Sequence, residues 1–230
     1  MSDDSLILAI ETSTKNCSVA LGKSGKLIAE KEQGGEYSHA ENLAIFVNEI
    51  LAESGYSLQA IDAIAVGKGP GSYTGLRIGV SYAKGLCLAL NKPLISIDSL
   101  TTLAISVIDE IPVNALAAPM IDARRMEVYC AIYDKKLNQV KEISADIIDK
   151  DSYGKLLQEH EIYFFGDGAE KCKATLIHPK AFFLDKKDTS AKFLLSMGHS
   201  KYQNKDFENL AYFEPFYLKE FVALKPSSRL

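Results

Sequence analysis

Residues 7–23 read ILAIETSTKNCSVALGK, and residues 118–134 read APMIDARRMEVYCAIYD. Each stretch starts as an apolar strand that ends in an acid, Glu11 in the first and Asp122 in the second. A short polar turn follows, and then a second apolar, β-rich run. An acid at a strand end is common, but the same strand–acid–turn–strand order met twice in one chain predicts a duplicated, two-lobed α/β protein.

The elements around the first stretch fill in the lobe. After a turn at Gly25, residues 26–33 (KLIAEKEQ) make a third strand of a meander. In residues 37–56, Leu43, Phe46, Val47, Ile50 and Leu51 recur at helical spacing, Ser38 and Glu41 have the spacing of a capping box, and Gly55 is a stop signal. Residues 60–67 (AIDAIAVG) are almost continuously apolar, as a strand covered on both faces must be. A second helix runs from about Thr74 to Leu90, residues 93–97 (PLISI) form a fifth strand, and residues 99–111 close the lobe as a helix. Three strands, a helix, a strand, a helix and a strand give the order of the ribonuclease-H-like fold. The expectation is two such lobes of the actin-like ATPase and sugar-kinase type, the second one reduced. They divide into residues 1–108 and 109–230, near Pro112, with EIYFFGDGAEK as a strand and turn and SAKFLLSMGHSKY as helix in the second.

Composition bounds the function. With 47% apolar and 24% charged residues among 230, the chain can build a large core. A net charge of −4 argues against an extensive nucleic-acid surface, so RNA is expected to be reached through a partner. The start MSDDSLILAI lacks a basic signal-peptide region, and no apolar run approaches the roughly 20 residues of a membrane span. Cys17, Cys87, Cys130 and Cys172 are dispersed, which points to a reducing, cytoplasmic setting. Cys172 lies between Lys171 and Lys173, in what reads as a solvated basic turn.

Residues 67–79, GKGPGSYTGLRIG, carry the densest glycine cluster. They are not a P-loop, since no glycine is followed by Lys and Ser or Thr, and the spacing of Gly69, Gly71 and Gly75 misses the dinucleotide fingerprint by one residue. The cluster still leaves a buried strand and opens a helix that Ser72 or Thr74 can cap, with Arg77 in its first turn against the helix dipole. Along that helix Gly75, Gly79 and Ala83 are spaced by four, and Gly85 and Ala89 add further small residues. Interior glycines cost about 1 kcal/mol each, which close backbone approach offsets. The neighbour is either the 38–54 helix of the same lobe or another chain, and the two helices together form the candidate interface. Other chemistries lack their motifs: His39, His160, His178 and His199 have no metal-ligand spacing, and no G-x-S-x-G elbow is present. For a nucleotide between the lobes, the candidate contacts are Glu11, Thr12, Thr14, Lys15, Ser72 and Asp122. The turn after Asp122 offers Arg124 and Arg125 where a phosphate loop needs glycine.

Taken in order, ILAIETST, SHAENL, GKGPGSYTGLRIGVSYAKGLCLAL, IDARRMEVYCAIYD, FGDGAE and EPFYLKE resemble the TsaB (YeaZ) family, from residue 7 to about 222. The resemblance implies a non-catalytic subunit of the bacterial machinery that makes threonylcarbamoyladenosine beside the tRNA anticodon. It implies a metal-bearing catalytic paralogue, TsaD, bound through the two N-terminal helices, an ATPase, TsaE, joining there, and a homodimer through the same helices when TsaD is absent. No cofactor of its own is implied as required; ATP or ADP with Mg²⁺ would be bound weakly or shared within the complex. The interface residues carried over are His39, Glu41, Gly71, Tyr73, Thr74, Gly75, Arg77 and Gly79, with Ala83 added from the helix stripe. Glu11 stands where many relatives have Asp, Tyr73 where Phe is usual, and Lys219 where Arg is common; the first weakens a Mg²⁺ role. The rival readings are a small-molecule kinase of the same fold and a peptidase acting on the paralogue.

Overall fold

The computed structural model describes residues 4–35, 39–186 and 188–219. The first lobe contains β1 (Leu6–Glu11), β2 (Asn16–Lys23), β3 (Lys26–Gly34), α1 (His39–Ser54), β4 (Ala63–Gly69), α2 (Tyr73–Leu90) and β5 (Leu94–Asp98). Its sheet runs β3-β2-β1-β4-β5, with β2 antiparallel to β1 and β4 parallel to it. After α3 (Ser99–Ile105), the order repeats: β6 (Leu116–Asp122), β7 (Glu127–Tyr133), β8 (Gln139–Ile147), α4 (Gly154–Glu159), β9 (Ile162–Phe165) and β10 (Ala181–Phe183). The second sheet runs β8-β7-β6-β9-β10, again with the second strand antiparallel and the fourth parallel to the first. These are two ribonuclease-H-like lobes. The second is reduced where expected: α4 is short, and only a 3-10 turn, Glu170–Cys172, replaces the counterpart of α2.

The apolar pattern explains the layers. Every residue of β1 is buried, because helices cover both faces of the strand. One face, with Leu8, Ile10, Val19, Ile64 and Val66, receives Leu43, Phe46, Val47 and Ile50 of α1 and Val80, Ala83 and Cys87 of α2. Gly55 ends α1 with a positive φ of 73°, its N–H bonded to the Leu51 carbonyl at 3.0 Å. Ser38, the expected cap, lies outside the described residues. α3 packs between the sheets, with Leu100, Leu103 and Ala104 against Ile121, Ala131 and Phe165.

Two features depart from the sequence reading. Cys172 is not in a solvated turn: it is fully buried, its thiol on the Gly168 carbonyl at 3.3 Å, because the 3-10 turn faces the second core while Lys171 and Lys173 reach outward. The end of the chain, placed by sequence order in the second lobe, returns to the first. Ala191, Leu194 and Leu195, at the start of α5 (Leu195–Gln203), pack on Ile7, Ala9, Ala65, Ile95 and Ile97, on the sheet face opposite α1 and α2. A strap, residues 206–219, then crosses back to the α1–α2 side, where Phe213 joins that core.

Leu195 tests this return. Its side chain is buried against Gly22, whose added Cβ would meet it at 2.8 Å. Leu195→Ala is expected to lower stability by about 3 kcal/mol, the usual range for a buried leucine, measured by urea unfolding. A loss below about 0.5 kcal/mol would mean that the helix does not seat there.

Candidate functional site

The expected sites meet at one place, where the β1–β2 turn packs against the start of α2. Glu11 ends β1 fully buried. Its Oε1 accepts the Ser13 N–H at 2.7 Å, while Oε2 has no hydrogen-bond partner among the described residues and lies against Gly67, whose added Cβ would stand 2.2 Å from it. Burial pushes its carboxyl above the ordinary 4.5, and the hydrogen bonds from Ser13 oppose this only in part. The longer Glu in place of Asp therefore does not reach into the space between the lobes. Thr12 and Thr14 are buried as well.

The glycines of α2 serve this turn. Thr12 Oγ1 donates to the Gly75 carbonyl at 2.8 Å. A Cβ on Gly71 would come within 2.3 Å of the Ser13 carbonyl, on Gly75 within 2.1 Å of the Thr12 carbonyl, and on Gly79 within 2.2 Å of Thr12 Oγ1. Ala83 is buried in the core beside them. Of the residues assigned to an inter-chain surface, Gly75, Gly79 and Ala83 are buried within the lobe and Gly71 is half-buried. The closest approach of Gly71, Gly75 and Gly79 is to the turn of their own lobe, with His39 of α1 3.2 Å from a Cβ added at Gly75, and Ala83 lies in the core that α1 and α2 share. Ser72 caps α2, its Oγ accepting the Gly75 N–H at 3.2 Å, while its own N–H donates to the Ser13 carbonyl at 2.7 Å. Two backbone donors at the start of α2 that could meet a phosphate, those of Ser72 and Gly75, are thus engaged within the chain.

The other side of the turn is filled by residues 189–191, which the sequence reading missed. Thr189 Oγ1 lies 3.1 Å from Thr14 Oγ1 and 3.4 Å from Ser13 Oγ. Asn16 Nδ2 donates to the Thr189 carbonyl at 3.0 Å, and the Ala191 N–H to Ser18 Oγ at 2.9 Å. Of the candidate phosphate contacts, Lys15 at the tip of the turn, Ser72 and Asp122 are exposed, while Glu11, Thr12 and Thr14 are buried. Asp122 is paired with Lys171 and accepts the Arg124 N–H at 2.9 Å. Arg124 and Arg125 sit exposed with φ of 69° and 50°, a left-handed turn that favours glycine or asparagine. Glu11 is fully buried, whereas Asp122 is exposed and paired with Lys171.

The remaining interface candidates lie on α1 and α2. His39 opens α1, and its Nε2–H donates to the Thr14 carbonyl at 3.0 Å, which ties α1 to the same turn. Burial lowers its pKa below 6.5, so the ring is neutral at pH 7. Glu41 and Thr74 are exposed. The Arg77 guanidinium donates to the Tyr73 hydroxyl at 3.1 Å, and the Tyr73 ring packs on Tyr217 of the strap, centroids 5.0 Å apart. The outward crest of α2 carries Thr74, Ser81, Gly85, Leu88 and Ala89, and nothing lies within 4 Å of a Cβ added at Gly85. Leu88 is 77% exposed, and on the outer side of α1 Ile45 is 51% exposed. Among the described residues, no helix is long and apolar enough to cross a membrane.

Comparison with known proteins places this geometry. A family profile described as "TsaD: tRNA N6-adenosine threonylcarbamoyltransferase" matches residues 31–221. The tRNA threonylcarbamoyladenosine biosynthesis protein TsaB of Escherichia coli (strain K12) is 41% identical over 134 residues, 58% of this chain and 57% of that one. That match spans little more than half the length of the relative. The protein of the same name from Buchnera aphidicola subsp. Baizongia pistaciae is 30% identical over 93% of this chain and 98% of its own. A crystal structure of a Pseudomonas aeruginosa protein, described as similar to peptidase YEAZ, superposes with a TM-score of 0.83 at 28% identity, covering 94% of this chain and all of that one.

Two outcomes test the turn. Gly79→Ala is expected to destabilise by about 2 kcal/mol through overpacking, and adding Thr12→Ala should recover about 1 kcal/mol of it, since the hydroxyl is what the new methyl meets. Additive losses in thermal unfolding would contradict the contact. Glu11 gives a pH signature. Its raised folded pKa contributes stability below its unfolded value, and that contribution is lost as pH rises through the folded value. Glu11→Gln, which cannot ionise, should therefore gain on the wild type as pH rises above 4.5 in urea unfolding. A difference that stays constant with pH would show that the carboxyl is not desolvated.

Proposed function

This chain belongs to the TsaB (YeaZ) family, and we propose that it is a non-catalytic subunit of the complex that forms threonylcarbamoyladenosine next to the tRNA anticodon. In this reading it binds the TsaD paralogue, which holds the metal and performs the transfer. The observation that carries the reading is the outer surface of α1 and α2. It presents exposed apolar side chains, Ile45 and Leu88, beside a crest of small residues that lets a second helix approach closely. Partners of this shape bury such crests against one another.

The engaged turn supports the non-catalytic half of the proposal. The Thr12 hydroxyl and the N–H groups of Ser13, Ser72 and Gly75 are used within the chain, and Thr189 stands beside the Ser13 and Thr14 hydroxyls. A kinase working through this cleft would have to release them. ATP or ADP with Mg²⁺ would then be held elsewhere in the complex, with TsaE joining where TsaD docks, tRNA reached through TsaD, and the cytoplasm as the site of action. Without TsaD, the same helices would pair two copies of this chain.

Gly85→Arg separates binding from folding. It adds a side chain into open space and removes the roughly 1 kcal/mol cost of a helical glycine. The monomer should melt at or above the wild-type temperature. Affinity for TsaD, by titration calorimetry, should fall at least tenfold, a loss of about 1.4 kcal/mol. Unchanged affinity would overturn this placement of the interface.

A further inference from the structure

The face of the first sheet that carries α1 and α2 has a third cover, the strap of residues 206–219. It is pinned along its length. The Glu208 N–H donates to the Leu94 carbonyl at 2.9 Å, Lys84 Nζ to the Phe213 carbonyl at 2.8 Å, and the Phe216 N–H to the Lys68 carbonyl at 2.7 Å. Beyond Tyr217, Lys219 forms an ion pair with Glu127 of the second lobe. Between strap and α2 runs an open furrow of about 310 Å³, with Tyr73, Arg77, Val80 and Lys84 on the helix side and Phe213, Pro215 and Tyr217 on the other.

Its charge is unlike that of the whole chain. Arg77 and Lys84 line it against one acid, Glu214, in a protein of net charge −4. Among the described residues neither cation has a carboxylate partner: Arg77 donates to a neutral phenol and Lys84 to a neutral carbonyl. The Arg77 guanidinium, 5.4 Å from the centroid of the Tyr73 ring, gives one N–H to that ring's hydroxyl and has further N–H donors for a ligand. The tyrosine rings and Pro215 offer apolar walls on either side. The furrow also adjoins the crest of α2 without a break, since Arg77 and Ser81 share the helix with Thr74 and Gly85.

We propose that this furrow is a second docking position for the protein partner, and that it takes an acidic side chain of that partner. The carboxylate sits on Arg77, and the residues flanking it lie against Tyr217, Pro215 and Phe213. The inference rests on the helix-surface reading above and adds to it: the strap, and not the two helices alone, builds the binding surface. Lys84 adds a second positive charge at the far end, so the attraction depends on salt.

The test is calorimetric titration of the full chain with TsaD from the same organism at 50 and 300 mM salt, each variant being checked by thermal unfolding. Arg77→Leu removes an exposed side chain that bonds only Tyr73 among the described residues, so folding is preserved. Affinity at low salt should fall at least tenfold and its dependence on salt should flatten. Arg77→Lys should keep the salt dependence but bind more weakly than wild type, since an ammonium cannot grip a carboxylate with two parallel bonds. Tyr217→Ala should weaken binding without changing the salt dependence. Wild-type affinity in Arg77→Leu, alongside impaired binding in Gly85→Arg, would overturn the furrow while leaving the helix surface standing. Wild-type affinity in both would overturn both. Loss of self-association in Arg77→Leu by sedimentation, with TsaD binding unchanged, would assign the furrow to a second copy of this chain and overturn the proposal.

Discussion

The contact on which the rest depends is the one between the β1–β2 turn and the first two turns of α2. The chain brings a threonine hydroxyl, two carbonyls and a helix together at distances that no Cβ would allow, and Gly71, Gly75 and Gly79 are what make room. The hydrogen bond from Thr12 to the Gly75 carbonyl and that from Ser72 to the Ser13 carbonyl fix the turn and the helix as one unit. His39 adds α1 to it through the Thr14 carbonyl. Three elements distant in sequence are thereby locked in rotation about their own axes.

That rotation decides which side of each helix meets solvent. With Gly75, Gly79 and Ala83 turned inward, Thr74, Ser81, Gly85 and Ala89 must face outward, because residues offset by about half a turn lie on opposite faces. The same turn, closed from the other side by Thr189, is occupied by the chain's own groups. One packing arrangement thus occupies the turn with the chain's own groups and turns the small residues of the α2 crest outward.

Much of this was legible in the sequence, for physical reasons that also set its limits. The apolar runs of residues 7–23 and 118–134 gave both sheets and their shared strand order, since alternating strand and turn chemistry is local. The glycine spacing of α2 was legible as a demand for close approach, but not its direction: Gly75 and Gly79 on one side, and Gly85 on the other, carry the same signal. Only the position of Thr12, set by tertiary packing, separates them. Thr189 and the strap gave no signal of period 2 or 3.6. Their hold comes from backbone hydrogen bonds and from Phe213, and only the density of aromatic residues over 207–217 hinted at a packed segment. The sequence placed Glu11 correctly at the end of β1 but could not reveal that its carboxyl folds back on Gly67.

The most direct measurement of the central claim is formation of threonylcarbamoyladenosine on tRNA in a reconstituted mixture. It would hold the adenylate-forming enzyme, TsaD, TsaE and ATP, with and without this protein, which would also be assayed alone for ATP hydrolysis. The expected result is product only when the protein is present, and no hydrolysis by the protein alone. Equal product without it, or ATP turnover by the isolated chain, would contradict a non-catalytic supporting subunit.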